Sequence, residues 1–372
     1  MDELRFWRNV VVKAALLFAL VNAAFAVTDP LPALGHVSAY NRLFPGRPRF
    51  PFGETPERAF NFSLYNFNAM WAAHELAGAR KAPDEFRVLI IGDSSVWGTL
   101  LRPEETLAGQ LNAGGYRLAD GRRLRAFNLG YPTMSLTKDL LVLDRARHYA
   151  PDLIVWLVTL ESFPRATQFA SPLVRQNAPL VRELIARLDL RLDPQHPDLA
   201  EPDWWARTLV GQRRNLADLL RLQLYGVAWA ATGVDQFYPE TYTPRANDLE
   251  AEETYYGFAP PRFPPDALAF DLLDAGRALA AETPLLVVNE PVFISNGRNS
   301  DIRYNFYYPR WAYDEYRRAL AAEAERGGWR YLDLWDFIER DEFTNTAVHL
   351  SPRGSAQLAQ RLIQEILDLA QR

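Results

Sequence analysis

From Phe86 onward the chain alternates short apolar runs with amphipathic stretches, and this alternation constrains its fold more than any other feature. Val88-Leu89-Ile90-Ile91 is an unbroken apolar run ending in Gly92-Asp93, as expected of a strand buried on both faces that enters a tight turn. Comparable runs are Arg125-Ala126-Phe127-Asn128, Leu153 to Val158, Leu285-Leu286-Val287-Val288 and Tyr331-Leu332-Asp333-Leu334. Between them, helical spacing marks Glu105 to Ala113, Leu136 to Tyr149, Pro265 to Ala281 and Trp311 to Gly327. Strands alternating with helices predict an α/β fold, a flavodoxin-like three-layer α/β/α parallel sheet.

The rest of the chain divides around that core. Residues 1–29 carry Arg5, Arg8 and Lys13, then an apolar run from Ala14 to Val27 interrupted by Asn22, with Asp29-Pro30 closing any helix. Counted from Val10, the run is about the minimum that spans a bilayer. Ala24-Phe25-Ala26 also has the small-x-small form of a signal cleavage site, so an uncleaved anchor and a cleaved signal peptide both fit, as does a buried N-terminal helix. The basic residues precede the run, which sends the remainder of the chain outward, to the cell membrane's extracytoplasmic side or to secretion. Residues 30–85 are rich in Pro, Phe, Tyr, Trp and Asn and read as a mostly irregular lead-in, including Pro45 to Gly53. Within 86–372, the stretch from about 171 to 264 breaks the alternation with helical patterns, notably Asp203 to Leu224, and then a Pro/Tyr-rich piece. It reads as a helical insertion.

Composition removes several functions. The net charge of -5 comes from intermixed charges, leaving no basic stripe for a phosphate backbone, so nucleic acid is not an expected partner. With no cysteine there is no thiol nucleophile, thiolate metal site or disulfide. Neither a His/Cys metal cluster nor a Gly-rich phosphate loop is present, and no cofactor is expected.

In an open parallel sheet, functional groups gather beyond the carboxyl ends of the strands. After the first strand comes Gly92-Asp93-Ser94-Ser95-Val96-Trp97-Gly98, where Gly92 permits a sharp turn and Ser94 starts the next helix. A plain N-cap has the same appearance. A nucleophilic serine also needs a base, and the chain has five histidines. His36 and His74 fall in the lead-in, His148 on a charged helix end and His196 in the insertion. His349 alone follows the last core strand, in Phe343-Thr344-Asn345-Thr346-Ala347-Val348-His349-Leu350-Ser351-Pro352-Arg353-Gly354, where Ser351-Pro352 opens a terminal helix to Leu369.

Gly92-Asp93-Ser94 after a buried strand, with a late His-Leu-Ser-Pro-x-Gly before a helix, resembles the SGNH/GDSL hydrolase family. The resemblance covers the core from Phe86 and leaves out the lead-in and the insertion. It implies Ser94 as nucleophile, contributing its own N–H to the oxyanion hole, and His349 as base. The family's second block resembles Asn128-Leu129-Gly130-Tyr131-Pro132-Thr133, with Thr133 where the family has an oxyanion-hole Gly. Its third block usually holds an Asn where this chain has Glu161. A carboxylate repels an oxyanion, so Glu161 is expected to orient His349 or to bind a substrate hydroxyl. The family's acid stands three residues before its His, here Thr346, with Asn345 before it. Neither balances an imidazolium, so Asp341, Glu342, Glu161 or a backbone carbonyl are the candidates for that place.

Asn289-Glu290-Pro291 ends a further strand, with Arg298, Arg303 and Tyr304 to Tyr308 beyond, and is either a substrate lining or a packed loop. The expected function is hydrolysis of an ester of an acylated glycan or lipid outside the cytoplasm, or acyl transfer to a sugar hydroxyl. The rival reading is a non-catalytic descendant that binds glycan or a partner at the membrane; in a third, the insertion serves mainly as an interaction platform.

Overall fold

The computed structural model describes residues 2–44, 46–52, 64–237 and 241–371. The chain opens with α1 (Asp2–Thr28) and the short helices α2 (Leu31–Leu34), α3 (Ala39–Leu43), α4 (Phe67–Ala73) and α5 (Glu75–Gly78). Then follow β1 (Glu85–Gly92), α6 (Ser94–Trp97), α7 (Leu107–Ala113), β2 (Arg123–Gly130), α8 (Leu136–Ala146) and β3 (Leu153–Val158). After β3 come α9 (Pro172–Gln176), α10 (Ala178–Leu188), α11 (Trp204–Arg207), α12 (Arg213–Thr232) and α13 (Asp271–Ala280). The chain ends with β4 (Leu285–Asn289), α14 (Arg310–Gly327), β5 (Arg330–Asp333) and α15 (Pro352–Ala370).

The five strands form one parallel sheet in the order β2-β1-β3-β4-β5. That is the doubly wound order of the flavodoxin-like fold, in which β1 and β3 lie side by side at the switch point. Every residue of β1 and β3 is buried, which is why these strands read as unbroken apolar runs. Successive residues face opposite sides: Leu89, Ile91, Ile154 and Trp156 join one core with α8, α13 and α14, while Val88, Ile90, Val155 and Leu157 join another with α7 and α15. The register pairs Gly92 with Gly130, and Asn289 with both Val158 and Asp333, so the strand ends meet along one edge.

Three sequence expectations change. The helix predicted over 265–281 begins only at Asp271, because the backbone before it pairs with the segment after β3: Arg165 N–H donates to Ala267 and Ala269 N–H to Phe163. The stretch from Asp203 to Leu224 splits into α11 and α12, with the Thr208 hydroxyl accepting from Gly211 N–H in the turn between them. The lead-in contains short helices and is docked firmly; its residues 53–63, like Pro45, lie outside the described residues. His74 Nδ1 accepts from Leu76 N–H and Nε2 meets the Asn128 carbonyl at 2.9 Å, which ties the lead-in to β2.

After α12, residues 245–263 run as an extended strap over the functional edge. Arg245 N–H donates to the Thr344 carbonyl, Leu249 N–H to Arg298, and the Arg303 guanidinium to the Glu252 carbonyl. Trp311 Nε1 donates to the Glu253 carbonyl, and Phe263 N–H to the Glu315 carboxylate.

Candidate active site

Ser94 stands at the first position of α6, directly after β1. Asp93 is the N-cap, its carboxylate accepting from Ser95 N–H at 2.7 Å. The turn is held from below by Gly130, whose place admits no side chain: a Cβ would lie 2.3 Å from Trp97 N and 2.9 Å from Asp93 O. Asn128 braces the same helix, donating to the Val96 carbonyl at 2.7 Å and accepting from Gly130 N–H. From the lead-in, the buried Arg49 donates to the carbonyls of Trp97, Gly98 and Leu101 and lies over the Trp97 ring at 4.2 Å. Asn128 and Gly130, expected near the oxyanion or substrate, therefore shape the turn that carries Ser94.

His349 arrives from a loop closed on itself. Thr344 N–H donates to the His349 carbonyl, Phe343 and Leu350 form an antiparallel bridge, and Ser351 N–H donates to the Glu342 carbonyl. The hydroxyl of Thr346 accepts from the N–H groups of Val348 and His349. This folds the backbone so that Asn345, four residues before the histidine, reaches its ring. His349 Nδ1 lies 2.8 Å from Asn345 Oδ1, and His349 Nε2 lies 2.8 Å from Ser94 Oγ.

Those two contacts set the protonation pattern. An amide oxygen only accepts, so the Nδ1 proton points to Asn345 and Nε2 is free to accept from the Ser94 hydroxyl. Burial lowers the His349 pKa from its ordinary 6.5 to about 4, which keeps the ring neutral near pH 7.

The expected acids stand elsewhere. Asp341 is exposed and pairs with Arg340. Glu342 accepts from the Ser351 hydroxyl and pairs with Arg353 at 3.4 Å, fastening the base of the histidine loop. Glu161 accepts from the hydroxyls of Tyr255 and Tyr256 on the strap. Its pKa is pushed up by burial and drawn back by those two hydrogen bonds. For the third place, Asn345 is the side chain that meets Nδ1; it carries no charge, yet an amide can orient an imidazole, as in Cys-His-Asn triads.

Thr133 was expected to offer its backbone N–H to an oxyanion. That N–H donates instead to the Tyr131 carbonyl at 2.8 Å, in the tight turn that Pro132 favours, while the Thr133 hydroxyl bonds Ser171 Oγ at 2.9 Å. Asn289 is fully buried, donating to Asp333 and accepting from Tyr316, and belongs to the packing of β4 against β5 and α14. Arg303 and Tyr308 are likewise buried, so the loop beyond β4 is packed.

Beneath the turn that carries Ser94 lies a buried charged cluster that no sequence motif signals. Lys138 Nζ donates to the Gly92 carbonyl at 2.7 Å and pairs with Asp139. The Ser95 hydroxyl donates to Glu290. Asp93, Asp139 and Glu290 are all buried around this one ammonium, and burial followed by the Asp93 charge drives the Glu290 pKa well up. Glu290, expected to face substrate, lies instead buried under the turn, where burial favours its protonated form.

No protein-family model matches the sequence, and no curated protein matches it significantly. Among solved structures, the chain is similar to an aryl esterase from M. smegmatis, at 13% identity over 76% of this chain and 99% of that one, with a TM-score of 0.36. It is also similar to a member of the lipolytic G-D-S-L family from Veillonella parvula, at 11% identity over 75% and 96% of the two chains, with a TM-score of 0.36. A carbohydrate acetylesterase from Sinorhizobium meliloti is 15% identical over 76% and 99%, with a TM-score of 0.33. At these identities and scores the likenesses decide neither activity nor substrate.

Proposed function

We propose that the protein is a serine-dependent hydrolase of ester bonds, with Ser94 as nucleophile, His349 as general base and acid, and Asn345 as the residue that positions the histidine. The observation that carries the proposal is the chain of two 2.8 Å contacts from Ser94 Oγ through the imidazole to Asn345 Oδ1. The resemblance of the Gly92-Asp93-Ser94 and His349-Leu350-Ser351-Pro352 blocks to SGNH/GDSL hydrolases supports the same assignment.

In the first half-reaction Ser94 Oγ attacks the ester carbonyl carbon while its proton passes to His349 Nε2. The tetrahedral oxyanion then collapses, the C–O bond to the alcohol breaks, and His349 returns the proton to the leaving oxygen. Water, deprotonated by the same nitrogen, then attacks the acyl carbon, the bond to Ser94 Oγ breaks, and His349 returns the proton to that oxygen, releasing the acid. A sugar hydroxyl in place of water would give acyl transfer. Ser94 N–H begins α6 and has no acceptor within the helix, which suits it to the oxyanion. The Thr133 and Ser171 hydroxyls share one hydrogen bond, so one hydroxyl proton remains to donate elsewhere.

We place the substrate outside the cytoplasm, as an acylated glycan or lipid. Residues Glu3–Thr28 form a helix long and apolar enough to cross a membrane, a test that a signal sequence also passes, and the basic residues precede it. The test is hydrolysis of a chromogenic acetate ester by the full-length protein in detergent. Turnover that disappears in Ser94→Ala and His349→Ala supports the proposal; equal turnover in wild type and Ser94→Ala overturns it. The binding-protein reading is favoured by one observation, the engagement of Thr133 N–H within its own turn. It predicts retention of acetylated glycan by Ser94→Ala together with no turnover by wild type.

A further inference from the structure

Outside the site, a set of exposed apolar side chains lies beside the end of α1. Trp204 and Trp205 on α11, Val210 in the turn, and Leu220, Leu224 and Tyr225 on α12 all face solvent, with Trp205 at 75% and Leu224 at 69% exposure. α12 already buries another face, where Leu219 and Leu222 pack on Tyr40, Leu64 and Ala73. A second apolar face on the same helix, left open, marks an interaction surface.

Its position follows from α1. α11 packs against α1, and Val210 N–H donates to the Asn22 side chain at 3.1 Å. Asn22 precedes Thr28 by six residues, about 9 Å along the axis at 1.5 Å per residue. If α1 spans a bilayer, Val210 and the two tryptophans therefore lie at the depth of the outer headgroup and upper acyl region, where interfacial helices sink by about 5–10 Å and tryptophan is enriched. The surface continues along α12, whose Gln223 is bonded both to the Val37 carbonyl and to Ala39 N–H, which holds the segment carrying the exposed Val37 against this helix.

The charges fit this placement. Glu201 is neutralised by Arg182 and Arg207, and the Asp203 carboxylate caps α11. Arg213, Arg214 and Arg221 are exposed along α12, in reach of anionic headgroups.

We infer that α11 and α12 form a membrane-docking collar: their tryptophan and leucine side chains insert into the outer leaflet beside α1, so that the sheet domain is held against the membrane at a fixed orientation and does not hang on a single helix. This rests on the reading of α1 as a spanning helix, and the experiment separates the two.

The chain has no cysteine, so single cysteines can be introduced into the full-length protein and spin-labelled. The positions are Trp205→Cys and Leu224→Cys on the collar, Leu17→Cys within α1, and Asp120→Cys on an exposed turn far along the chain. In phosphatidylcholine–phosphatidylglycerol vesicles, labels at 205 and 224 are expected to collide several-fold more with oxygen relative to a nickel chelate than the label at 120, approaching the label at 17. Labels at 205 and 224 that match 120 while 17 is lipid-protected overturn the collar and leave the spanning helix standing, which is also the outcome if a protein covers this surface. An aqueous label at 17 removes the spanning reading, and the collar with it.

Discussion

Asn345 Oδ1 stands 2.8 Å from His349 Nδ1, so the imidazole that faces Ser94 is oriented by a neutral amide and not by a carboxylate. The ring gains the correct tautomer from this contact without gaining a counter-charge. That difference separates the behaviour of this site from that of a Ser-His-Asp triad.

Replacing Asn345 with Ala frees the ring to rotate and to exchange its tautomer. Ester turnover is expected to fall about 100-fold, the lower end of the contribution of positioned acid–base catalysis, with KM little changed. Asn345→Asp keeps an acceptor in the same place and adds a charge, so activity is retained while the acid limb of the pH profile moves upward. Loss of activity in Asn345→Asp equal to that in Asn345→Ala would show that the amide itself is required.

The pH profile of the wild type follows from burial. A base must be neutral to accept the Ser94 proton, so activity is full above the His349 pKa and is lost as pH falls through it. With that pKa lowered to about 4, kcat/KM should be flat across pH 6.5 and halve only near pH 4. A half-maximum near 6.5 would mean that the imidazole is more solvated than its 7% exposure implies.

Gly130→Ala tests the brace beneath the nucleophile. The added methyl would meet the backbone of Val96 and Trp97, which has little room to retreat, so overpacking is expected to cost about 1–3 kcal/mol. The displacement falls on α6, so turnover should drop more than the melting temperature alone explains. Thermal unfolding measured beside kcat separates the two effects, and an Ala variant with native stability and rate would remove Gly130 from the support of Ser94.

Glu161 anchors the strap through two tyrosine hydroxyls. Glu161→Gln removes the charge and keeps one acceptor oxygen for one tyrosine hydroxyl, while its NH2 donates to the other, so turnover should change less than about threefold. Glu161→Ala leaves the buried Tyr255 hydroxyl unpaired, at about 1–3 kcal/mol, while the exposed Tyr256 turns to water, and should make residues 245–263 more susceptible to proteolysis. A Gln variant as inactive as Ser94→Ala would assign the carboxylate a direct chemical role.

Much of this molecule is legible in its sequence. β1 and β3 are buried on both faces, so they appear as unbroken apolar runs, and the alternation around them implies the parallel sheet. Ser94 and His349 are legible as candidates because each follows a core strand, and the sheet brings those ends together. Asn345 is not legible in the same way, because it carries no charge and the turn built by the Thr346 hydroxyl, which presents the amide to the ring, has no periodic signature. Thr133 and Glu161 depend on contacts with Tyr131 and with the strap, and Arg49 reaches α6 across 48 residues of chain. Such contacts are set by tertiary packing, which local spacing does not encode.

The central claim is that Ser94 is an activated nucleophile, and the most direct measurement is mass spectrometry of the full-length protein after reaction with a fluorophosphonate. A single phosphonyl adduct on the peptide containing Ser94, absent in Ser94→Ala and strongly slowed in His349→Ala, is the predicted result. An unlabelled Ser94 in folded wild-type protein, or labelling that persists unchanged in His349→Ala, would contradict it.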